Sequence, residues 1–236
     1  MLLKFRCWSV SPVGVSQPCH NVIRTDGSGP AYPLLADGIG GRPHSFSPDS
    51  RTLAYSVGTN GLPDLWTVSV DATDPEHPKA GKPAPYLITP NVEVDAMFSP
   101  DGRWIAYASS ESGREELFVR PFPADRNGGA KVRVSSDGGK FPSWSRNGRE
   151  LFFLGGDDRI MVAAYVSKGD SIEVSKPRPW SDTPVLRTLV YRNLDLHPDG
   201  KRFVVFPVKP QDRVNREPNQ VTLILNFFDE LKRRVP

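Results

Sequence analysis

The sequence has few of the residues that carry redox chemistry, and it has no long hydrophobic run. It contains two cysteines among 236 residues. Cys7 and Cys19 can form one disulfide or remain two free thiols, so cysteine usage leaves the redox compartment open. No apolar run approaches the roughly 20 residues that a membrane helix needs. Lys4 and Arg6 interrupt the first residues, so we expect no secretory signal in this chain.

The chain also has no large excess of either positive or negative charge. The formal net charge is +3, and acidic and basic residues are interspersed along most of the chain. This balance is too small and too diffuse for a phosphate-binding surface, and no known nucleic-acid module is visible. We therefore expect no nucleic-acid partner and no membrane insertion of this chain.

Signatures of catalysis and of cofactor binding are missing as well. No G-x-S-x-G nucleophile elbow occurs, and neither do the glycine-rich loop, H-R-D and D-F-G of a kinase. Gly38-Ile39-Gly40-Gly41 is short and precedes a strand, so it is not expected to bind phosphate. No two histidines stand at metal-ligand spacing; they are His20, His44, His77 and His197. The prediction is no catalytic residue, no cofactor, no metal and no enzyme activity in this chain.

What the sequence does contain is one turn motif, written four times. The copies are FSPDSRTLAY at 46–55, FSPDGRWIAY at 98–107, WSRNGRELFF at 144–153 and LHPDGKRFVV at 196–205. The Asp or Asn of the turn recurs after 52, 46 and 52 residues. Self-similarity at such a period is typical of a propeller or a solenoid.

The letters of the motif predict a hairpin. Proline presets φ for the first turn position, Asp or Asn tolerates the second, and glycine accepts the positive φ that follows. Consecutive apolar residues come after each turn, as in Trp104–Tyr107 and Leu151–Leu154. Such runs suit strands that are covered on both faces, which sheets stacked around an axis provide.

We therefore predict an all-β fold, a β-propeller of four-stranded antiparallel blades that forms an incomplete ring of about four blades plus a partial one. The segment Asp71–Pro85 carries four prolines and is predicted to be a loop. The predicted organisation is an unassigned segment at 1–20, the outer half of a truncated blade at 21–41, blades at 42–90, 91–135 and 136–180, and a last blade with a short C-terminal helix at 181–236.

Two groups of residues invite a functional interpretation. The repeated turn residues Asp49, Asp101, Asn147 and Asp199 could suggest calcium, but hydrogen bonds within the turn explain them better. His197 takes the place that serine has in the other turns, and we interpret it as a turn-flanking residue. Core positions are predicted for the tryptophans that lie in strands, which are Trp66, Trp104 and Trp144. Trp180 is a loop residue that can contact a partner.

The four-strand unit with its F-S-P-D-G turn resembles the WD40-like (PD40) repeat of TolB-type propellers over residues 42–226. Val221–Lys232 also resembles the final segment of C-terminal propellers in bacterial eukaryotic-like serine/threonine kinases. The resemblance implies a non-catalytic module for protein interaction or ligand sensing within a larger signalling protein. Its localisation is then extracytoplasmic if the parent protein resembles the membrane-anchored kinases.

Two alternatives remain open at this point. One is the accessory propeller of a prolyl-oligopeptidase-type peptidase that lacks its hydrolase domain, and the other is a free-standing periplasmic scaffold of TolB type. In each case we expect a protein or peptide partner at the loops of one face of the ring. Open blade edges also predict self-association.

Overall fold

The computed structural model describes residues 21–22, 32–35, 41–59, 62–74, 77–124, 130–185, 192 and 194–205. All of these lie in the unit Met1–Phe206. They form 18 strands and no helix, and none of them belongs to a helix able to cross a membrane. The cysteines, His20, the segment Val221–Lys232 and the predicted C-terminal helix lie outside the described residues.

The first full blade follows a short pair of strands, and its outer position is divided between two strands. The pair is β1 (Asn21–Val22) and β2 (Tyr32–Pro33). The blade consists of β3 (Arg42–Phe46), β4 (Thr52–Thr59), β5 (Leu62–Asp71), β6 (Lys79–Ala80) and β7 (Ala84–Leu87). These strands are antiparallel in the order β3-β4-β5, and both β6 and β7 pair with β5.

The prediction of a continuous loop from Asp71 to Pro85 is wrong, because β6 and part of β7 lie within it. Lys79 and Ala80 pair with the last residues of β5, Asp71 and Val70. Prolines flank this short strand without occupying it, so both of its residues keep the backbone N–H groups that pairing needs.

The next two blades repeat the same order. The second consists of β8 (Glu93–Phe98), β9 (Trp104–Ser109), β10 (Glu116–Pro121) and β11 (Val132–Arg133). The third consists of β12 (Gly139–Trp144), β13 (Glu150–Gly155), β14 (Ile160–Lys168), β15 (Ser171–Val174) and β16 (Arg178–Pro179), the last two sharing the outer position. The last blade is represented by β17 (Leu194–Leu196) and β18 (Phe203–Val205). The blade boundaries given above stay a prediction.

The repeated turns hold themselves together with hydrogen bonds. In the second blade, Asp101 Oδ1 accepts hydrogen bonds from Ser99 Oγ at 2.5 Å and from the Arg103 N–H at 3.1 Å. Gly102 has a φ of 70°, a left-handed conformation that glycine adopts without cost. The same bonds recur around Asp49 and Asn147, which confirms the interpretation of these residues as turn stabilisers. His197 likewise flanks a turn and accepts the Asp199 N–H.

Neighbouring blades pack face to face. One core contains Trp104 and Leu117 of the second blade together with Trp144 and Phe153 of the third. Trp104 and Trp144 are buried, as predicted. Trp180 is partly buried and packs edge-to-face on Phe152 and Phe203; its contact with a partner stays a prediction. Contacts follow chain order, from β3 to β8, β8 to β12 and β12 to β17, and the arc formed by the described strands is not closed.

Candidate functional site

The inner strands β3, β8 and β12 begin at one end of the arc, which we call the mouth. Each of them has an irregular register soon after its start. The irregularities fall between Pro43 and Ser45, between Val94 and Met97, and between Lys140 and Ser143. Bulges of this kind redirect side chains and are common beside binding sites. Three blades therefore deform at the same place.

Two residues of these bulges have a left-handed backbone. Asp95 has a φ of 60° and Phe141 a φ of 54°. Aspartate tolerates this conformation, whereas a bulky residue such as phenylalanine is rarely found in it. Left-handed residues of this type cost about 1–3 kcal/mol each and concentrate at functional sites. The mouth thus holds a conformation that the surrounding packing must maintain.

A cavity of about 340 Å³ opens between the three blades at this mouth. Its charged walls come from Arg42, Asp95, Glu115 and Lys140, and Phe141 is part of its apolar wall. The volume falls within the range of roughly 300–1,000 Å³ that small-molecule sites occupy. We call these five residues and the space between them the mouth site.

Opposite charges face each other in pairs across the blade boundaries. Arg42 Nη2 of the first blade lies 2.9 Å from Asp95 Oδ1 of the second. Lys140 Nζ of the third blade lies 2.5 Å from Glu115 Oε2, which precedes β10 of the second. Arg42 and Glu115 keep about a third of their side-chain surface exposed, at 33% and 31%. A ligand can therefore reach one cation and one anion of the site.

The electrostatic environment of Asp95 is unusual for a paired carboxylate. Burial raises its pKa above the ordinary value, and Arg42, Lys140 and the Phe141 N–H oppose that rise. An acid in such a position is more easily protonated than a surface aspartate. The protonation of this carboxyl group therefore depends on its burial and on the cations beside it.

His44 and Arg192 lie beside the ion pairs. Burial, Arg42 and Arg192 together lower the pKa of His44 to about 3, so its imidazole is neutral at physiological pH. Its Nε2 is buried and has no hydrogen-bond partner among the described residues. Arg192 donates 3.0 Å hydrogen bonds to the carbonyl oxygens of Pro142 and Leu194, which ties the last blade to β12. The mouth thus combines three cations with a neutral imidazole.

None of the residues singled out from the sequence belongs to the mouth site. The turn residues Asp49, Asp101, Asn147 and Asp199 lie at the other ends of the inner strands. Aligning the four repeats would have indicated the basic residues of the mouth. The residue four positions before the start of the turn motif is basic in three of the four copies: Arg42, Lys140 and Arg192. Among the described residues, no group of three or more His, Cys, Asp or Glu side chains could hold a metal ion; the absence of a cofactor stays a prediction.

Next to the mouth site, Glu93 at the start of β8 leads to a prediction for stability. Its side chain is fully buried, and Oε1 accepts hydrogen bonds from Thr89 Oγ1 at 2.8 Å and Ser109 Oγ at 3.0 Å. Oε2 has no partner among the described residues. Burial is the main reason why the pKa of Glu93 is raised, and Glu111 adds to it while Lys131 opposes it.

Glu93→Gln should stabilise the protein at neutral pH. A raised carboxyl pKa lowers wild-type stability progressively as pH rises from the ordinary value of 4.5 through the raised one, by about 1.4 kcal/mol per unit of difference. Glutamine keeps the accepting oxygen and removes this term, so urea unfolding across pH 4 to about 9 should show a variant advantage that grows with pH. A constant difference between the two proteins would contradict this explanation.

Comparisons with known proteins show structural likenesses only. No protein-family model matches the chain, and neither does any curated protein. Among solved structures, a putative TolB from Agrobacterium tumefaciens is 18% identical, with 80% of this chain and 70% of that chain covered and a TM-score of 0.46. A putative 6-phosphogluconolactonase from Bacteroides uniformis is 15% identical, with 78% and 56% covered and a TM-score of 0.48. A periplasmic gluconolactonase from Pseudomonas aeruginosa is 16% identical, with 76% and 56% covered and a TM-score of 0.45.

The chain has a β-propeller fold. The four-stranded antiparallel sheets establish the predicted fold class by their own topology. The chain spans just over half of each lactonase structure. The deduction that this chain is not an enzyme does not stand: it rested on missing motifs alone, and two of the similar structures bear the names of lactonases. Fold does not determine function, and a propeller with no recognised catalytic motif is not thereby excluded from catalysis.

Proposed function

We propose that this chain is a ligand-binding propeller module whose mouth site takes a small ligand that carries both a carboxylate and an ammonium group, such as a short peptide. The observation that carries the proposal is the repeated bulge of the inner strands, which brings Arg42, Asp95 and Lys140 into one cavity. Cations of the site suit a carboxylate, and its acids suit an ammonium group. The apolar wall at Phe141 suits the carbon chain between them.

The proposal can be tested with a panel of zwitterionic dipeptides as probes. We expect one or more of them to raise the melting temperature of the chain, because ligand binding to the folded state stabilises it by about 2.7 kcal/mol at a hundred times the dissociation constant. Calorimetric titration then measures the affinity. Amides of the same dipeptides, which lack the carboxylate, should bind at least tenfold more weakly.

The matched variant neutralises the pair Arg42–Asp95 without leaving a lone buried charge. Arg42→Gln/Asp95→Asn keeps polar side chains at both positions, and asparagine tolerates the left-handed backbone of residue 95. The affinity for the dipeptides should fall about tenfold or more. Lys131→Ala, which breaks an ion pair with Glu111 outside the mouth site, is the control. Unchanged affinity in the double variant, or no binding of any dipeptide, would refute the proposal.

The biological setting is a separate proposal, supported by the likeness of Val221–Lys232 to kinase-associated propellers. We propose that the module belongs to a bacterial signalling protein with a serine/threonine kinase domain. Sequencing of the gene and its flanks tests this, since the proposal requires an in-frame glycine-rich loop, H-R-D and D-F-G upstream. An adjoining hydrolase domain would instead favour the peptidase alternative, and a signal peptide directly before the propeller would favour the periplasmic scaffold.

A further inference from the structure

The third blade has an unpaired strand edge on the face opposite the mouth. Residues 160–164 of β14 pair with β13, and this pairing ends where Ala164 lies opposite Glu150. Residues 165–168 of β14 continue beyond β13 and pair only with β15. We call these four residues the overhang. In the second blade β10 ends level with β9, where Pro121 meets Trp104, so it has no comparable overhang.

The ladder shows which backbone groups of the overhang are available. Lys168 and Ser171 close a two-residue hairpin loop, so these two residues form a hydrogen-bonded pair. Because hydrogen-bonded and non-hydrogen-bonded pairs alternate along an antiparallel ladder, Val166 also directs its N–H and C=O groups toward β15. Tyr165 and Ser167 therefore direct theirs to the other edge. The Tyr165 N–H is taken by the Arg149 carbonyl at 2.9 Å. No strand of the described part of the chain pairs with the rest of this edge.

A groove occupies the place that a longer β13 would fill. Its volume is about 720 Å³, and its walls include Gly148, Arg149, Tyr165, Val166 and Ser167. The turn of the second blade forms the opposite wall with Pro100 and Asp101. Space and an open strand edge thus coincide, which is the arrangement that accepts an extended peptide as an added strand.

The charges of the groove define the partner. Arg146 and Arg149 line it, both are exposed, and neither guanidinium forms an ion pair with the described residues. Asp101 is the acidic residue of the groove, and its carboxylate already accepts two hydrogen bonds within its own turn. Val166 exposes 49% of its surface and offers an apolar contact. The groove suits a strand that alternates acidic and apolar residues.

We propose that this edge is a second interaction site, at which an extended acidic segment of a partner protein adds to β14 as a strand. The backbone of Ser167 and the carbonyl of Tyr165 supply the ladder, and Arg146 and Arg149 select the acidic side chains. This site lies on the face opposite the mouth site and uses none of its residues.

Fluorescence anisotropy with a labelled peptide tests the site. The probe alternates glutamate and valine over about six residues, enough to span a four-residue edge at roughly 3.3 Å per residue. We expect saturable binding that weakens at high salt. The same peptide with lysine in place of glutamate should not bind, and a version with methylated backbone nitrogens facing the edge should lose about tenfold or more.

Protein variants complete the test. Arg146→Ala/Arg149→Ala should weaken binding of the acidic peptide about tenfold, since each exposed charge contact contributes modestly. Arg178→Ala, which removes an exposed arginine of β16 outside the groove, is the matched control and should bind as the wild type does. Equal affinity for the methylated peptide, or for the lysine peptide, would overturn the proposal. So would a dimer in sedimentation that the double variant abolishes, because a second copy would then occupy the edge.

Discussion

Phe152→Ala is expected to lower the free energy of unfolding by about 3–5 kcal/mol, the range measured for removal of buried aromatic side chains. Phe152 is fully buried in β13. Its ring lies edge-on to Phe203 at a centroid distance of 5.3 Å and to Trp180 at 6.1 Å. The loss combines the hydrophobic free energy that burial of the ring contributes with the cost of the cavity left between the third and last blades.

The effect should be visible at the blade boundary as well as in global stability. Trp180 also contacts Phe203 directly, with centroids 5.1 Å apart, so the near-ultraviolet circular dichroism of this tryptophan reports on the same cluster. Denaturant unfolding measures the energy, and Val204→Ala is the control because Val204 is 71% exposed. A loss below about 1 kcal/mol, equal to that of a surface substitution, would mean that the last blade is not packed on Phe152.

Local chemistry explains why the fold could be predicted from the sequence. The Pro-Asp-Gly turns stabilise themselves within about five residues, as the bonds from Ser99 Oγ and Arg103 N–H to Asp101 show. The strands beside them contain runs of consecutive apolar residues, and Trp104–Ser109 is buried along its whole length. Each signal is short-range, so it can be read without knowing the packing of the blades.

The mouth site could not be predicted in the same way, because its pairs are distant in sequence. Arg42 and Asp95 are 53 residues apart, and the Lys140–Glu115 pair also joins two blades. Bulges decide where these side chains point, and no single residue type marks them: the bulged positions include His44, Asp95 and Phe141. The basic residues of the mouth could be found in the sequence only by comparing equivalent positions of the repeats.

The two buried glutamates of the second blade show how the same residue type can act in opposite directions. Glu93 has an oxygen without a partner among the described residues, and burial raises its pKa. Glu116 is equally buried, but both of its oxygens accept hydrogen bonds. Burial alone would raise the pKa of Glu116, yet bonds from Ser135, Gly138 and Arg114 lower it overall. One glutamate weakens the blade and the other strengthens it.

Glu116→Ala should therefore lower the free energy of unfolding at pH 7 by about 3 kcal/mol, because the Ser135 hydroxyl and the Gly138 N–H lose their acceptor, at about 1–3 kcal/mol each. Arg114 and Arg133 lose an ion-pair partner too, but they are half exposed, at 54% and 46%, and water replaces it. Ser135 and Gly138 lead directly into β12, so this carboxylate connects the second blade to the third.

The pH dependence of Glu116→Ala distinguishes this explanation from simple loss of packing. A lowered carboxyl pKa gives stability that is present above the ordinary value of 4.5 and is lost as pH falls through the lowered value. The difference between wild type and Glu116→Ala should thus shrink on acidification, opposite in direction to the pH dependence expected for Glu93→Gln. Urea unfolding measured at neutral pH and at about pH 3 provides the comparison, with Glu111→Ala at the partly exposed pair with Lys131 as control. A gap that stays constant with pH would place the loss in packing and contradict the role assigned to the Glu116 charge.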